Sequence, residues 1–399
     1  MSATSAEQMR AWRGPALLTY GFRPFFLLGA IWAALAMTLW ALALAGVLAL
    51  PTRLDPVSWH AHAFLFGYLG AVIAGFLLTA VPNWTGRLPV VGWRLGALVL
   101  LWATGRLAIM VSAVLPVWAA PAIDLAFPIV LGAVILREIV AGRNWKNLIV
   151  LALLGVFAIA NLVFHVEAAR GAFAAQGCGL RLGLSAGIGM IALIGGRIVP
   201  SFTRNWLVKR GVAALPVPPM QGFDKATLLA TLAALLLWTV LPAAWASGAA
   251  LLAIAVLHGL RLARWQSHRT GAEPLVWVLH AAYALVPLGA LTLGLAILAP
   301  DLIGQAAAQH VWMGGAVGLM TLAVMTRATL GHTGQALSAD RMTVLIYALL
   351  IGSVAARLTA GVLPAHLGYE ISAVLWITAF AGFAIVYGPA LALPKEEAR

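Results

Sequence analysis

The sequence predicts an all-α fold, a polytopic membrane helix bundle of about twelve transmembrane helices. Three observations predict it. Apolar residues make up 63% of the 399-residue chain and charged residues 9%, a balance that excludes an ordinary soluble domain. Apolar windows of about 20 residues, the length that crosses a bilayer, recur along the chain. The basic residues are also one-sided. With the N-terminus inside, Arg53, Arg170 and Arg181 are the only Lys or Arg in outer loops, and Arg106, Arg197 and Arg357 fall within spans. That leaves nineteen of the 25 Lys and Arg on the cytoplasmic side. This is the positive-inside bias of a multi-pass protein of the bacterial inner (cytoplasmic) membrane, with both termini cytoplasmic. The formal net charge of +13 is therefore read as topology. Membrane lipid is the expected surrounding, and nucleic acid is excluded as a partner.

Residues 1–22 are expected to form a cytoplasmic N-terminal segment, since they lack the apolar core of a secretory signal. Residues 23–392 form a single integral membrane domain and 393–399 a cytoplasmic tail. The spans lie near 23–50, 58–81, 93–115, 120–140, 147–168, 179–201, 226–244, 247–265, 274–300, 306–328, 342–364 and 368–391. Asp55-Pro56 gives the second span an N-cap followed by proline at its first helical position. Arg106 falls in the outer half of the third span, and Asp124 lies early in the fourth. The longest polar interruption, RNWLVKRGVAALPVPPMQGFDKAT, is a cytoplasmic loop near 204–227, rich in proline and basic residues. Only the Trp245–Gly248 region separates the seventh span from the eighth. Most of the 16 tryptophans, Trp84, Trp93 and Trp145 among them, fit interfacial belts.

The ends of three of these spans resemble one another, either as an internal repeat or as chance similarity among Gly/Ala-rich helices. The second closes in Pro82-Asn83-Trp84-Thr85-Gly86-Arg87, the sixth in Pro200-Ser201-Phe202-Thr203-Arg204-Asn205-Trp206, and the tenth in Thr326-Arg327-Ala328-Thr329. The pattern describes three four-helix units. A major-facilitator transporter would instead repeat in six-helix halves. Counting 22 residues back from Pro82 and Pro200 gives His60 and Cys178, so the middle unit lacks the histidine.

The histidines carry the candidate chemistry. An ionisable group inside an apolar span costs about 2.5 kcal/mol or more and normally has a function or a partner. Neutral imidazole is also the commonest metal ligand and an axial ligand of haem iron. His60 and His62 open the run WHAHAFLFGYLGAVIAGFLLTAVP. Positions two apart lie about 200° apart around a helix, so the two rings serve different neighbours. His60 leads a small-residue stripe, Gly67, Ala71 and Ala74, suited to close helix packing. His62 leads a bulky stripe, Phe66, Leu69, Ile73 and Phe76, which could meet lipid or a porphyrin face. His165, near the outer end of the fifth span, and His310, at the start of the tenth, lie at similar depth. His280, His258 and His332 lie toward the cytoplasm. A straight helix puts His332 about 33 Å from His310, too far to share one metal. His268 and His366 are expected to be solvated. Arg106 and Arg357 either hold haem propionates as bidentate partners or pair with Asp124, Glu167 or Glu370.

Other chemistry is poorly represented. No P-loop, dinucleotide-binding glycine motif or nucleophile elbow stands in a fitting context. The one cysteine, Cys178, allows no intrachain disulfide, and C-x-x-C-H is absent, so any haem is non-covalent.

Several ordered segments resemble the NnrS family: Gly21-Phe22-Arg23-Pro24-Phe25-Phe26, His60-Ala61-His62 through Arg87, Ile194 through Trp206, Leu279-His280-Ala281-Ala282-Tyr283, and His310 through Gly334. Ala63 stands where the family's H-x-x-H-E motif leads one to expect Glu. The resemblance implies a membrane protein containing haem b and copper, associated with nitric oxide, denitrification and tolerance of nitrosative stress. It puts His60, His62, His165, His280, His310 and His332 forward as metal ligands. His60, His62 and His310, with Arg106 and Arg357, are the candidates at the cofactor. Spans two and ten are expected to be neighbours, with His310 and one of His60 or His62 facing across the haem and the other approaching His165 or copper.

The expected function is to bind, process or protect against nitric oxide or a related small molecule, with an electron donor that the sequence does not identify. A nitric oxide reductase-like oxidoreductase is one alternative. A secondary transporter for a small anion or metal is another, disfavoured by scarce intramembrane carboxylates and the missing six-helix repeat.

Overall fold

In the computed structural model, residues 12–87, 89–360 and 365–394 are described. Twelve helices are long and apolar enough to cross a membrane: α1 (Phe22–Leu44), α2 (Pro56–Thr85), α3 (Trp93–Met110), α4 (Ala119–Ala141), α5 (Trp145–Ala169), α6 (Cys178–Lys209), α7 (Gly222–Val240), α8 (Trp245–Ala263), α9 (Pro274–Leu298), α10 (Gln305–Thr333), α11 (Arg341–Thr359) and α12 (His366–Ala392). No strand occurs among the described residues. All twelve expected spans are present. Residues 1–11 of the expected N-terminal segment and 395–399 of the expected tail lie outside the described residues.

Half of the expected loop near 204–227 is helix. The polar end of α6 runs on to Lys209 and α7 begins at Gly222, so only residues 210–221 connect them. Hydropathy misses such extensions because a helix propagates beyond its apolar window wherever water or side chains satisfy its ends. Asp55 caps α2 as its sequence indicates, its Oδ1 accepting from the Val57 and Ser58 amides at 3.0 and 2.9 Å.

Every fourth span, beginning with the second, is built differently. In α2, α6 and α10 the buried share of the apolar window is 83, 72 and 72%, against 33–44% for the other nine, which leave Leu100, Val256 and Ile385 exposed for lipid. Each of the three also contains a π-helical segment: Ala63–Tyr68, Ile191–Gly195 and Val311–Val317. Such segments loosen the backbone ladder, and in the bilayer core each freed carbonyl needs another donor. In α2 and α6 two indoles and a guanidinium supply such donors: Trp32 Nε1 donates to Ala63 O at 2.9 Å, Trp102 Nε1 to Gly67 O at 3.0 Å and Arg261 Nη1 to Ala192 O at 2.8 Å. This revises the reading of the tryptophans as mainly interfacial. Trp93 and Trp145 are exposed, but Trp32, Trp59, Trp102, Trp238, Trp265, Trp312 and Trp376 are buried.

The described residues form two compact units. One holds the chain up to Gly183 with Ala328–Gln335 and the end of α12 from Phe380; the other holds Leu184–Arg327 and Ala336–Ala379. In the first unit α2 packs on α1 and α4, α3 packs on α4, and α4 on α5. In the second, α8 packs on α7 and α9, and the π segment of α10 lies against α9 and α11.

The seam between α5 and the start of α6 fixes the height of the α5 side chains. Glu167 caps α6, its two oxygens accepting from the Cys178 and Gly179 amides at 2.7 and 3.0 Å. A Cβ at Gly179 would lie 2.4 Å from the Phe164 backbone nitrogen, an atom that cannot swing aside. Gly179→Ala is therefore expected to force α5 and α6 apart at a cost of about 1–3 kcal/mol, read as a lowered unfolding midpoint in detergent.

A buried histidine–carboxylate cluster as candidate metal centre

Asp124, near the start of α4, is fully buried, and it organises the residues around it. A carboxylate in such surroundings is tolerable only when paired and fully hydrogen-bonded. Arg106 of α3 donates through Nη2 to Asp124 Oδ1. The other oxygen, Oδ2, accepts from Asn161 Nδ2 at 2.7 Å and lies 3.1 Å from His62 Nε2 and 3.0 Å from His165 Nε2. His62 Nε2 also lies 3.1 Å from Asn161 Oδ1. Four spans thus converge on one carboxylate: α2 brings His62, α3 Arg106, α4 Asp124, and α5 both Asn161 and His165.

Local sequence explains each placement. His62 is the last residue before the π segment of α2, and Asn161 and His165 are four apart on α5, hence on one face. Room for the Arg106 guanidinium comes from Gly67, where a Cβ would lie 2.8 Å from Arg106 Nη1. The imidazoles are 5.0 Å apart between ring centroids and are walled by Phe66 and Phe164. This changes the reading of the bulky α2 stripe. Phe66, Leu69 and Ile73 are buried, and Phe66 packs on Phe157 and Phe164 of α5, so the head of the stripe meets protein.

The donor set fits a metal ion. His62 Nε2, Asp124 Oδ2 and His165 Nε2 all lie within 4.8 Å of one another. Tetrahedral donors at bond lengths of about 2.0–2.2 Å are separated by about 3.3–3.6 Å, so the two imidazole-to-carboxylate spacings, 3.1 and 3.0 Å, need to open by only a few tenths of an ångström. Two imidazoles and a carboxylate suit copper, zinc or ferrous iron. Binding through Nε2 requires each histidine to carry its proton on Nδ1. His62 Nδ1 is buried and makes no hydrogen bond among the described residues, which leaves it available for that proton. A cavity of about 10 Å³, about the space of one water molecule, lined by Phe66, Gly70, Phe157, Asn161, Arg106 and Asp124, borders the carboxylate.

The remaining candidates have other partners. His60 stacks on Trp40 with centroids 4.7 Å apart and contacts Phe64, on the opposite side of α2 from the cluster. His310, the last residue before the π segment of α10, donates Nδ1–H to Ala306 O at 2.6 Å, an arrangement that places the lone pair on Nε2. The start of α10 packs on α11, where the Arg357 guanidinium lies 4.8 Å from the Tyr369 ring centroid. His280 Nε2 is 2.7 Å from Thr203 Oγ1. His332 is exposed and lies against the rings of Tyr20 and Phe22. Of the two readings of Arg106, the geometry shows the ion pair with Asp124. Asn161 was not marked by sequence reasoning, and Asp124 was marked only as an ion-pair partner. The available signal was a carboxylate inside an apolar window.

Twelve membrane-spanning helices around a buried His₂–carboxylate cluster define a multi-pass membrane protein with a candidate metal centre. The chain belongs to the NnrS family, whose model, described as NnrS protein, matches residues 16–395. That family is associated with the nitric oxide response and with haem and copper. No curated protein matches the chain.

Proposed function

We propose that this protein binds or processes nitric oxide, or protects iron centres from it, at a metal held by His62, Asp124 and His165. The observation that carries the reading is the buried cluster itself, set beside a small, largely apolar cavity. Copper is the preferred ion. A reduced copper centre supplies an electron-rich coordination position for a diatomic ligand. The chain's own contribution is to orient and shield: Asp124 fixes both imidazoles, Arg106 balances the carboxylate, and Phe66 and Phe157 exclude water. The Lys and Arg asymmetry supports the bacterial inner membrane with both termini cytoplasmic.

Haem b, bound non-covalently, would be held through His310, whose Nδ1–H bond to Ala306 keeps the proton off Nε2, the nitrogen that would meet the iron. Arg357 is the partner for a propionate. His60 is a further residue that would hold the haem, judged by its own substitution. Purified protein from haem- and copper-replete cells is expected to show a Soret band that shifts on addition of nitric oxide, and to contain copper by elemental analysis. His310→Ala should remove the Soret band and leave copper in place. A colourless, metal-free preparation overturns the reading. The same His₂–carboxylate set also suits non-haem ferrous iron, and iron in excess of haem would identify that alternative.

A further inference from the structure

The second unit contains a buried polar chain that the metal centre does not use. Asp224 of α7, Arg261 and His258 of α8 and Tyr283 of α9 are all buried. Arg261 Nε donates to Asp224 Oδ1 at 2.7 Å, and Nη1 donates to the Tyr283 hydroxyl oxygen at 2.9 Å as well as to Ala192 O of the α6 π segment. Glycine makes the approach possible, since a Cβ at Gly196 would lie 2.2 Å from Arg261 Nη2. His258 Nδ1 is 2.9 Å from the Tyr283 hydroxyl, and its Nε2 is 2.8 Å from Thr231 Oγ1.

Proton directions follow from the donors available. Thr231 donates its own hydroxyl proton to Thr227 O at 2.7 Å, so Thr231 Oγ1 accepts from His258 Nε2–H. The lone pair of His258 is then on Nδ1, and Tyr283 donates its O–H to it. Arg261 can only donate, so it cannot receive the phenol proton. Among the described residues, a neutral imidazole therefore stands as the one base in contact with a phenol shut away from water. Trp265, itself buried, lies against Tyr283 with ring centroids 4.5 Å apart.

We propose that Tyr283 and His258 form a proton-coupled redox site that passes single electrons through this unit. An oxidised metal complex or metal centre takes one electron from the Tyr283 ring. The Tyr283 O–H bond breaks, an N–H bond forms at His258 Nδ1, and a neutral tyrosyl radical faces an imidazolium. Returning one electron and the proton restores both side chains. The Asp224 carboxylate balances Arg261, so the oxidised pair adds a single positive charge to the cluster. A purely structural tyrosine would have no need of a base as its acceptor, since a backbone carbonyl satisfies a buried hydroxyl equally well.

The test is flash oxidation of the intact protein in lipid nanodiscs by photogenerated ruthenium(III) polypyridyl, followed by freeze-quench electron paramagnetic resonance. The expected result is a tyrosyl radical in the wild-type chain, with coupling to one exchangeable proton and to an imidazole nitrogen that changes on ¹⁵N-histidine labelling. Tyr283→Phe should abolish the signal and Tyr20→Phe should preserve it. His258→Gln should reduce its yield in protein whose unfolding midpoint is retained. The imidazole coupling is read on the wild type, so it does not depend on any variant folding. Absence of a radical, its survival in Tyr283→Phe, its location on tryptophan, or a tyrosyl radical without imidazole coupling each overturns the proposal.

Discussion

Arg106→Ala is expected to cost about 3–5 kcal/mol of stability, because it strands the buried Asp124 carboxylate without its cation. Arg106 is itself buried, and its ion pair with Asp124 lies between α3 and α4, the two spans that bring the charges into the first unit. His62 and His165 already share Asp124 Oδ2, and neither reaches Oδ1, which Arg106 occupies. Replacing both members of the pair by apolar residues, in Arg106→Met with Asp124→Leu, should recover only part of the loss, since the desolvation cost of the charges disappears but Asn161 and the two imidazoles lose their shared acceptor. Arg87 provides the contrast. It bonds Glu138 Oε2 at 2.7 Å, but its side chain is 45% exposed, so Arg87→Ala should cost less than about 1 kcal/mol. Unfolding in mixed micelles measures all three variants. If Arg106→Ala shifts stability no more than Arg87→Ala, the Asp124 pair is not what anchors these helices.

The membrane architecture was readable because it depends on local properties. Length and apolarity fix a span, and Asp55-Pro56 announces the start of α2 before any tertiary contact forms. The π segments were hidden for the opposite reason. Their freed carbonyls are satisfied by Trp32, Trp102 and Arg261, which belong to other spans, so no window around Ala63 or Ile191 encodes them. The same dependence hid the buried indoles: a tryptophan reads as interfacial until a carbonyl at depth is known to need its N–H. At the candidate site, His62 and His165 stood out as polar groups in apolar runs. Asn161 did not, because a neutral amide four residues before a histidine has no distinctive composition. Convergence of these side chains on Asp124 is a property of how four helices pack. The absence of Glu at Ala63 removes a local carboxylate from the α2 motif, and Asp124 of α4 supplies the carboxylate beside His62.

Loss of either imidazole from the Asp124 cluster should weaken metal binding more than any change outside it. In His62→Ala or His165→Ala a donor is removed from a set of three, leaving one imidazole and one carboxylate. Metal retained after dialysis should then fall by more than the roughly 10–100-fold typical of altering an outer-shell partner. Asn161→Leu tests that lesser case. Its amide nitrogen donates to Asp124 Oδ2 and its oxygen lies against His62 Nε2, so its loss disturbs orientation and leaves all three donors in place. Binding should also weaken as pH falls, because the ion competes with protons for both Nε2 atoms. His268→Ala, at a loop position near the end of α8, should leave metal content unchanged. Elemental analysis and a competitive chelator titration on each purified variant give the ordering. Equal metal retention in His62→Ala, His165→Ala and His268→Ala would show that the cluster is a hydrogen-bonded anchor for α2, α4 and α5, and that the protein's metal is held by other residues.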